Sequence, residues 1–127
     1  MDQQTTEDAL VRETIATYFD ALFFSSGEKV RASFHAHGTV CGIMSGSDTM
    51  AEMDTERFAA FADQNTSPEK NGEPREDELL AIEITGKVAR VTLRARYLGK
   101  RFTDHLLLIK DEGRWQILNK VWHVDPA

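Results

Sequence analysis

The chain has 127 residues, of which 41% are hydrophobic and 28% charged, with a net charge of −6. Those values fit one globular domain, 1–127, with a real core, and exclude wholesale disorder. The acidic balance argues against a nucleic-acid surface, which needs a basic face to displace phosphate counterions, and against an anionic membrane surface.

The opening MDQQTTEDAL is acidic and polar, without the basic-then-apolar order of a signal peptide. Thr5 or Thr6 followed by Glu7 and Asp8 puts carboxylates at a helix start, where the macrodipole favours them. Leu10, Val11, Thr14, Ile15, Tyr18, Phe19, Leu22 and Phe23 recur at helical spacing. An amphipathic helix from near Thr6 to Phe24 is expected, ended by Ser25-Ser26-Gly27. Ser26 can cap a short second helix, Glu28 to Phe34. His35-Ala36-His37-Gly38 reads as a turn and Thr39 to Met44 as a strand. The pattern turns helical again from Met50, with Asp54 or Thr55 as cap and Phe58, Phe61 and Ala62 as the apolar stripe. Thr66 to Asp77 holds Pro68, Gly72, Pro74 and many charges, the composition of an exposed, mobile loop over about 66–77.

Glu78–Thr85 and Lys87–Leu98 then alternate around Gly86, and Phe102–Lys110 and Arg114–His123 alternate around Asp111-Glu112-Gly113. That last loop suits a type I turn followed by a left-handed glycine. Helices first and long antiparallel strands after them give an α+β fold, helices packed on one face of a curved antiparallel sheet. No apolar run reaches the roughly 18 residues a membrane span needs, and a cytoplasmic location is expected. The single cysteine, Cys41, reads as a small buried strand residue and excludes an internal disulfide.

The residues YFDALFFSSGEKVRASFHAHGTV and FTDHLLLIKDEGRWQILNKVW, with this order of elements, resemble the nuclear transport factor 2-like superfamily. Within it the likeness is to the lumazine-binding group, near the polyketide-cyclase-like (SnoaL-like) and ketosteroid-isomerase-like branches. The resemblance covers nearly the whole chain. It implies a cone-shaped roll, a pocket between the helices and the concave face of the sheet, and a homodimer formed through the sheet. Relatives often carry an acidic residue where this chain has His37, so no catalytic carboxylate carries over to that position. The superfamily holds isomerases, cyclases, dehydratases and binding modules, so fold does not give activity.

Asp104 shares a strand face with Leu106 and Leu108, and Asn119 shares one with Trp115, Ile117 and Val121. Placed inward, Asp104 is a candidate general base beside apolar walls; its competing role is an ion pair with a neighbouring arginine or a bond to a strand-end amide. Asn119 can orient a carbonyl or enolate oxygen, or satisfy buried backbone. Tyr18 offers a hydroxyl to the cavity or serves as a core tyrosine. His35, at the helix-to-strand corner, is placed near the pocket rim, and Phe58 and Trp115 are placed among its walls. On this parity Leu118 and Trp122 point away, to an outer face shared with Leu107 and Ile109 that a second copy covers. Arg90, Arg94 and Arg96 read as partners for acids such as Glu83 rather than as an anion site. His35 and His37 lack a third ligand, so no metal is expected, and no cofactor either. The chain has no phosphate loop, GxSxG elbow, HExxH or CxxC. The function favoured is binding of an aromatic or polycyclic small molecule; the alternative is a cofactor-free isomerase, cyclase or dehydratase using Asp104.

Overall fold

The computed structural model describes residues 3–126, with side chains from Thr6 onward. Its elements run α1 (Gln3–Phe23), α2 (Gly27–Ser33), β1 (Phe34–Ile43), β2 (Met50–Asp54), α3 (Thr55–Gln64), β3 (Glu78–Thr85), β4 (Val88–Tyr97), β5 (Lys100–Asp111) and β6 (Arg114–Val124). The six strands form one sheet in the order β2-β1-β6-β5-β4-β3. All neighbouring pairs are antiparallel except β1 with β6, which is parallel. Helices on one face of a mainly antiparallel sheet make the α+β architecture.

The period of each pattern decides what is buried. On α1, Val11, Ile15, Tyr18 and Leu22 sit on one side of the helix and are buried. They meet a layer from alternate strand positions: Ala89, Val91, Leu93 and Ala95 of β4, Leu106 and Leu108 of β5, and Ile117 of β6. Helix α2 starts behind Ser26, whose hydroxyl accepts from the Lys29 backbone N–H, and α3 starts behind Asp54, whose carboxylate accepts from Arg57.

Three local expectations give way, at Met50, at His35–Gly38 and in the β5–β6 loop. The segment from Met50 is a strand before it is a helix: Met50–Asp54 pairs with β1, and the helical stripe begins only at Thr55. His35–Gly38 is not a free turn but an irregular stretch within β1, between Phe34 opposite Ile117 and Thr39 opposite Asn119. The β5–β6 loop is two residues, Glu112 and Gly113, both at positive φ, because Asp111 pairs with Arg114. Two left-handed residues match the twist of a tight hairpin better than the longer turn does. The 66–77 segment is exposed but tied down. Glu69 N–H bonds the Phe23 carbonyl at 3.1 Å, and Arg75 pairs with Asp20 and Asp77 at 2.7 and 2.6 Å.

The correction that matters most lies in β6. Leu108 faces Ile117 and Leu107 faces Asn119, so Leu118 is an extra residue on β6, a β-bulge. Before it Trp115 and Ile117 point into the core, as their parity requires. After it the faces exchange: Lys120 is buried, Trp122 is half-buried, and Val121 is exposed. Trp122 therefore turns inward and Asn119 outward, the reverse of the uninterrupted alternation. On the apolar outer face Leu107, Ile109 and Leu118 stay together with Val88, and Val121 stands exposed where Trp122 is expected.

Trp122 is seated against Gly42 of β1, its partner in the parallel ladder. A Cβ on Gly42 would lie 2.3 Å from two indole carbons. Gly42→Ala is expected to push the indole off its seat and lower stability by about 1–3 kcal/mol, the usual size of an overpacking penalty. Urea unfolding monitored by tryptophan fluorescence reads it; an unchanged midpoint would mean that the ring is not held there.

Candidate functional site

The site forms where α1, β5 and the second half of β6 meet. Asp104 is fully buried, in mid-β5. Tyr18, equally buried on α1, donates its hydroxyl to Asp104 Oδ2 at 2.5 Å, a length expected of a hydroxyl on a carboxylate. Lys120 Nζ lies 3.8 Å from the same oxygen. Asp104 stands opposite Trp122, and Lys120 opposite Leu106, so the bulge at Leu118 is what brings the lysine to this face. The other carboxylate oxygen, Asp104 Oδ1, is buried without a hydrogen-bond partner, and so is Trp122 Nε1.

Aromatic rings surround the lysine. Its Nζ is 4.8 Å from the Phe58 centroid, 5.2 Å from Tyr18 and 5.9 Å from Trp122. Ring faces attract a cation, and more strongly when water is excluded. Burial nonetheless pulls the Lys120 ammonium below its ordinary value, against the opposing pull of Asp104. The Tyr18 hydroxyl is pushed well above its ordinary value, first by burial and then by the adjacent carboxylate.

A cavity opens from this group toward the surface between α1, α3 and the sheet. Asp104 and Lys120 line it together with Met44, Met53, Phe61, Leu98 and others, and its walls are mostly apolar. Its atom-free space is about 440 Å³ counted out to the mouth, while about 60 Å³ is open to the centres of water molecules. Pockets for small ligands occupy roughly 300–1,000 Å³. The 440 Å³ includes open solvent at the mouth; the enclosed 60 Å³ lies well below that range, so a ring-sized ligand enters only as the walls move apart.

Of the residues singled out by sequence, Asp104 and Phe58 line this cavity, and Tyr18 touches Asp104 from behind the wall. Three others are elsewhere. Asn119 faces outward after the bulge, and its side-chain amide donates to Thr39 Oγ1 at 2.8 Å. Trp115 is buried at the opposite end, where its indole N–H donates to Glu7 at 2.6 Å. Lys110 joins the same carboxylate at 2.6 Å, and these two bonds hold Glu7 below its ordinary value. His35 sits at that end too. Its Nδ1 accepts from the His37 backbone N–H at 3.0 Å, which leaves Nε2 to carry the proton toward Asp111 Oδ2 at 2.8 Å. The His35 and His37 rings stack with centroids 5.3 Å apart, and among the described residues no group of three His, Cys, Asp or Glu is placed to hold a metal. Arg90 and Glu83 pair across β3 and β4 at 2.9 Å; Arg96 reaches Glu73 and Glu76 at 3.5 Å each. Sequence reasoning missed Lys120 and Trp122, and the available signal was the tryptophan itself, too large an apolar group to leave in water.

The two shifted groups give stability a dependence on pH with a definite sign. Lys120 is held below its ordinary 10.5, so over the range between its folded value and 10.5 the unfolded chain binds more protons, and stability rises with pH. Tyr18 works in reverse: unfolded tyrosine ionises first, so stability falls once pH passes 10.0. Urea unfolding from about pH 8 up to the onset of tyrosine ionisation is expected to show a rise that Lys120→Met abolishes. Parallel profiles for the two proteins would mean that Lys120 titrates as if in water.

Among the described residues no helix is long and apolar enough to cross a membrane. An NTF-2-like protein of unknown function from Silicibacter pomeroyi DSS-3 superposes with a TM-score of 0.86 at 18% identity, over 98% of this chain and 100% of that one. An NTF2-like protein of unknown function from Shewanella baltica OS155 gives 0.85 at 22% identity, over 100% of both chains. Both likenesses establish the fold. A relative, Aldolase FrzH from Cladobotryum sp, is 25% identical over 119 residues, 94% of this chain and 91% of that protein. A family model described as "Putative lumazine-binding" matches residues 6–123. The chain therefore belongs to that family, and its fold is that of the NTF2-like structures.

Proposed function

We propose that this protein binds a small aromatic or polycyclic molecule carrying a carbonyl or enol oxygen. The ligand's apolar body lies against Phe58, Phe61, Trp122 and the two methionines, and its oxygen turns to the floor. The observation that carries the reading is the floor itself: an apolar-walled cavity ends on Asp104 and Lys120, where two buried polar atoms, Asp104 Oδ1 and Trp122 Nε1, lack partners. Buried polar groups are normally satisfied, so two open ones at one cavity suit a ligand that completes them. The lumazine-binding family supports a small-molecule ligand, and an aldolase among the relatives supports a carbonyl compound.

Thermal unfolding against a panel of aromatic ketones, enols and fused heterocycles, lumazine included, tests it. A ligand at a hundred times its Kd is expected to add about 2.7 kcal/mol of stability. The carbonyl compounds should outperform the matching hydrocarbons because Trp122 Nε1 can donate to their oxygen, and Trp122→Phe should shrink that preference. A panel without any shift would remove the binding reading.

One observation favours a second reading, a cofactor-free isomerase, cyclase or dehydratase. Asp104 lines the cavity, is held in place through Oδ2, and leaves Oδ1 free of hydrogen bonds. A carboxylate fixed by one oxygen and open at the other is suited to take a proton from carbon beside a carbonyl, with Lys120 facing the oxygen where charge develops. Proton-to-deuteron exchange at the α-carbon of a bound ketone is expected, and Asp104→Asn should slow it about 10²–10⁴-fold. Exchange at the solvent rate in the unmutated protein would leave binding alone.

A further inference from the structure

We propose that Lys120 is an amine nucleophile, and that Nζ captures the carbonyl carbon of an aldehyde or ketone in the cavity as a reversible imine. The inference rests on the ligand pocket proposed above and adds a covalent step to it. Lys120 is a cavity-lining residue whose side chain is only 9% exposed, and the facing Asp104 side chain is 1% exposed. The lysine gives no hydrogen bond to that carboxylate: at 3.8 Å the pair is close enough for a proton to pass with a small side-chain rotation, yet Nζ is not locked. A lysine whose task was only to neutralise Asp104 would close that gap. Burial also weakens its hold on its proton.

The step balances without any outside reagent. Lys120 passes a proton to Asp104, and its freed electron pair forms a bond to the carbonyl carbon while the C=O π pair moves to oxygen. An amine proton shifts to that oxygen. The hydroxyl then takes back the proton held by Asp104 and leaves as water, as the nitrogen pair closes the C=N bond. An ammonium and a carbonyl become an iminium and water. The charge at the nitrogen is +1 before and after, so the rings of Phe58, Tyr18 and Trp122 that face the ammonium face the iminium equally well. Apolar walls keep bulk water from reversing the step.

The test uses the whole chain with 2-naphthaldehyde, its alcohol 2-naphthalenemethanol, and sodium cyanoborohydride to reduce any imine to a stable amine. Peptide mass mapping then ranks the six lysines. Lys120 is expected to carry more adduct than exposed Lys87, because the cavity holds the aldehyde beside Nζ at an effective concentration far above that in solution. The same mapping on Lys120→Arg should leave only the low surface labelling. Thermal shift with the alcohol, which cannot form an imine, reports the pocket separately. If the alcohol stabilises the protein but label spreads over surface lysines and spares Lys120, the imine is overturned and the pocket stands. If the alcohol gives no shift and Lys120 stays unlabelled, both fall.

Discussion

A carboxylate sealed from water sets the terms for this structure. Removing Asp104 and Lys120 from solvent costs several kcal/mol for each charge, and the pair is too far apart for a hydrogen bond to offset it alone. The remainder comes from the surroundings: the Tyr18 hydroxyl on one carboxylate oxygen and three aromatic rings about the ammonium. The partners are spread over four elements, so α1, α3, β5 and β6 must all be in register for the group to be tolerated. A polar cluster of this kind constrains the packing of the helices on the sheet more narrowly than apolar contact does.

Much of the architecture was legible because its signals are local. The 3.6-residue spacing of Val11, Ile15, Tyr18 and Leu22 gives α1, and the strict alternation of β4 and β5 gives their buried faces, Asp104 included. Caps at Ser26 and Asp54 could be read from residue type. What could not be read was decided between strands. The bulge at Leu118 carries no glycine or proline to announce it, and the charge of Lys120 two residues before masks the pull of Trp122 toward the core. Period two then gives no preference, and every assignment after the bulge inverts. Asn119 left the site and Lys120 entered it for that one reason. The short β2 was hidden likewise, because Met50–Asp54 has a strand's structure only through its pairing with β1.

The same bulge explains why the site lies at one end of the sheet. Opposite it, β1 makes its own irregular passage from Phe34 to Thr39, so both strands of the parallel pair bend at the same level. Below that level the chain is tied shut: Glu7 bonds both Lys110 and Trp115, His35 bonds Asp111, and Thr14 bonds the Trp115 carbonyl at 2.9 Å. Above it the interior widens enough for the cavity.

The two parts of that cavity differ in stiffness, and the difference bears on what it can accept. Its floor is anchored by a short bond between a helix and a central strand, so the position of Asp104 cannot drift far. Its upper walls include Met44 and Met53, from the rim of β1 and from β2, and Leu98, in a left-handed turn between β4 and β5. Methionine side chains are unbranched and re-pack easily, and β2 is an edge strand held by a single neighbour. A rigid floor with yielding walls selects for a functional group more than for an outline. A space narrow at rest can then widen around ligands of differing bulk while Asp104 stays in place.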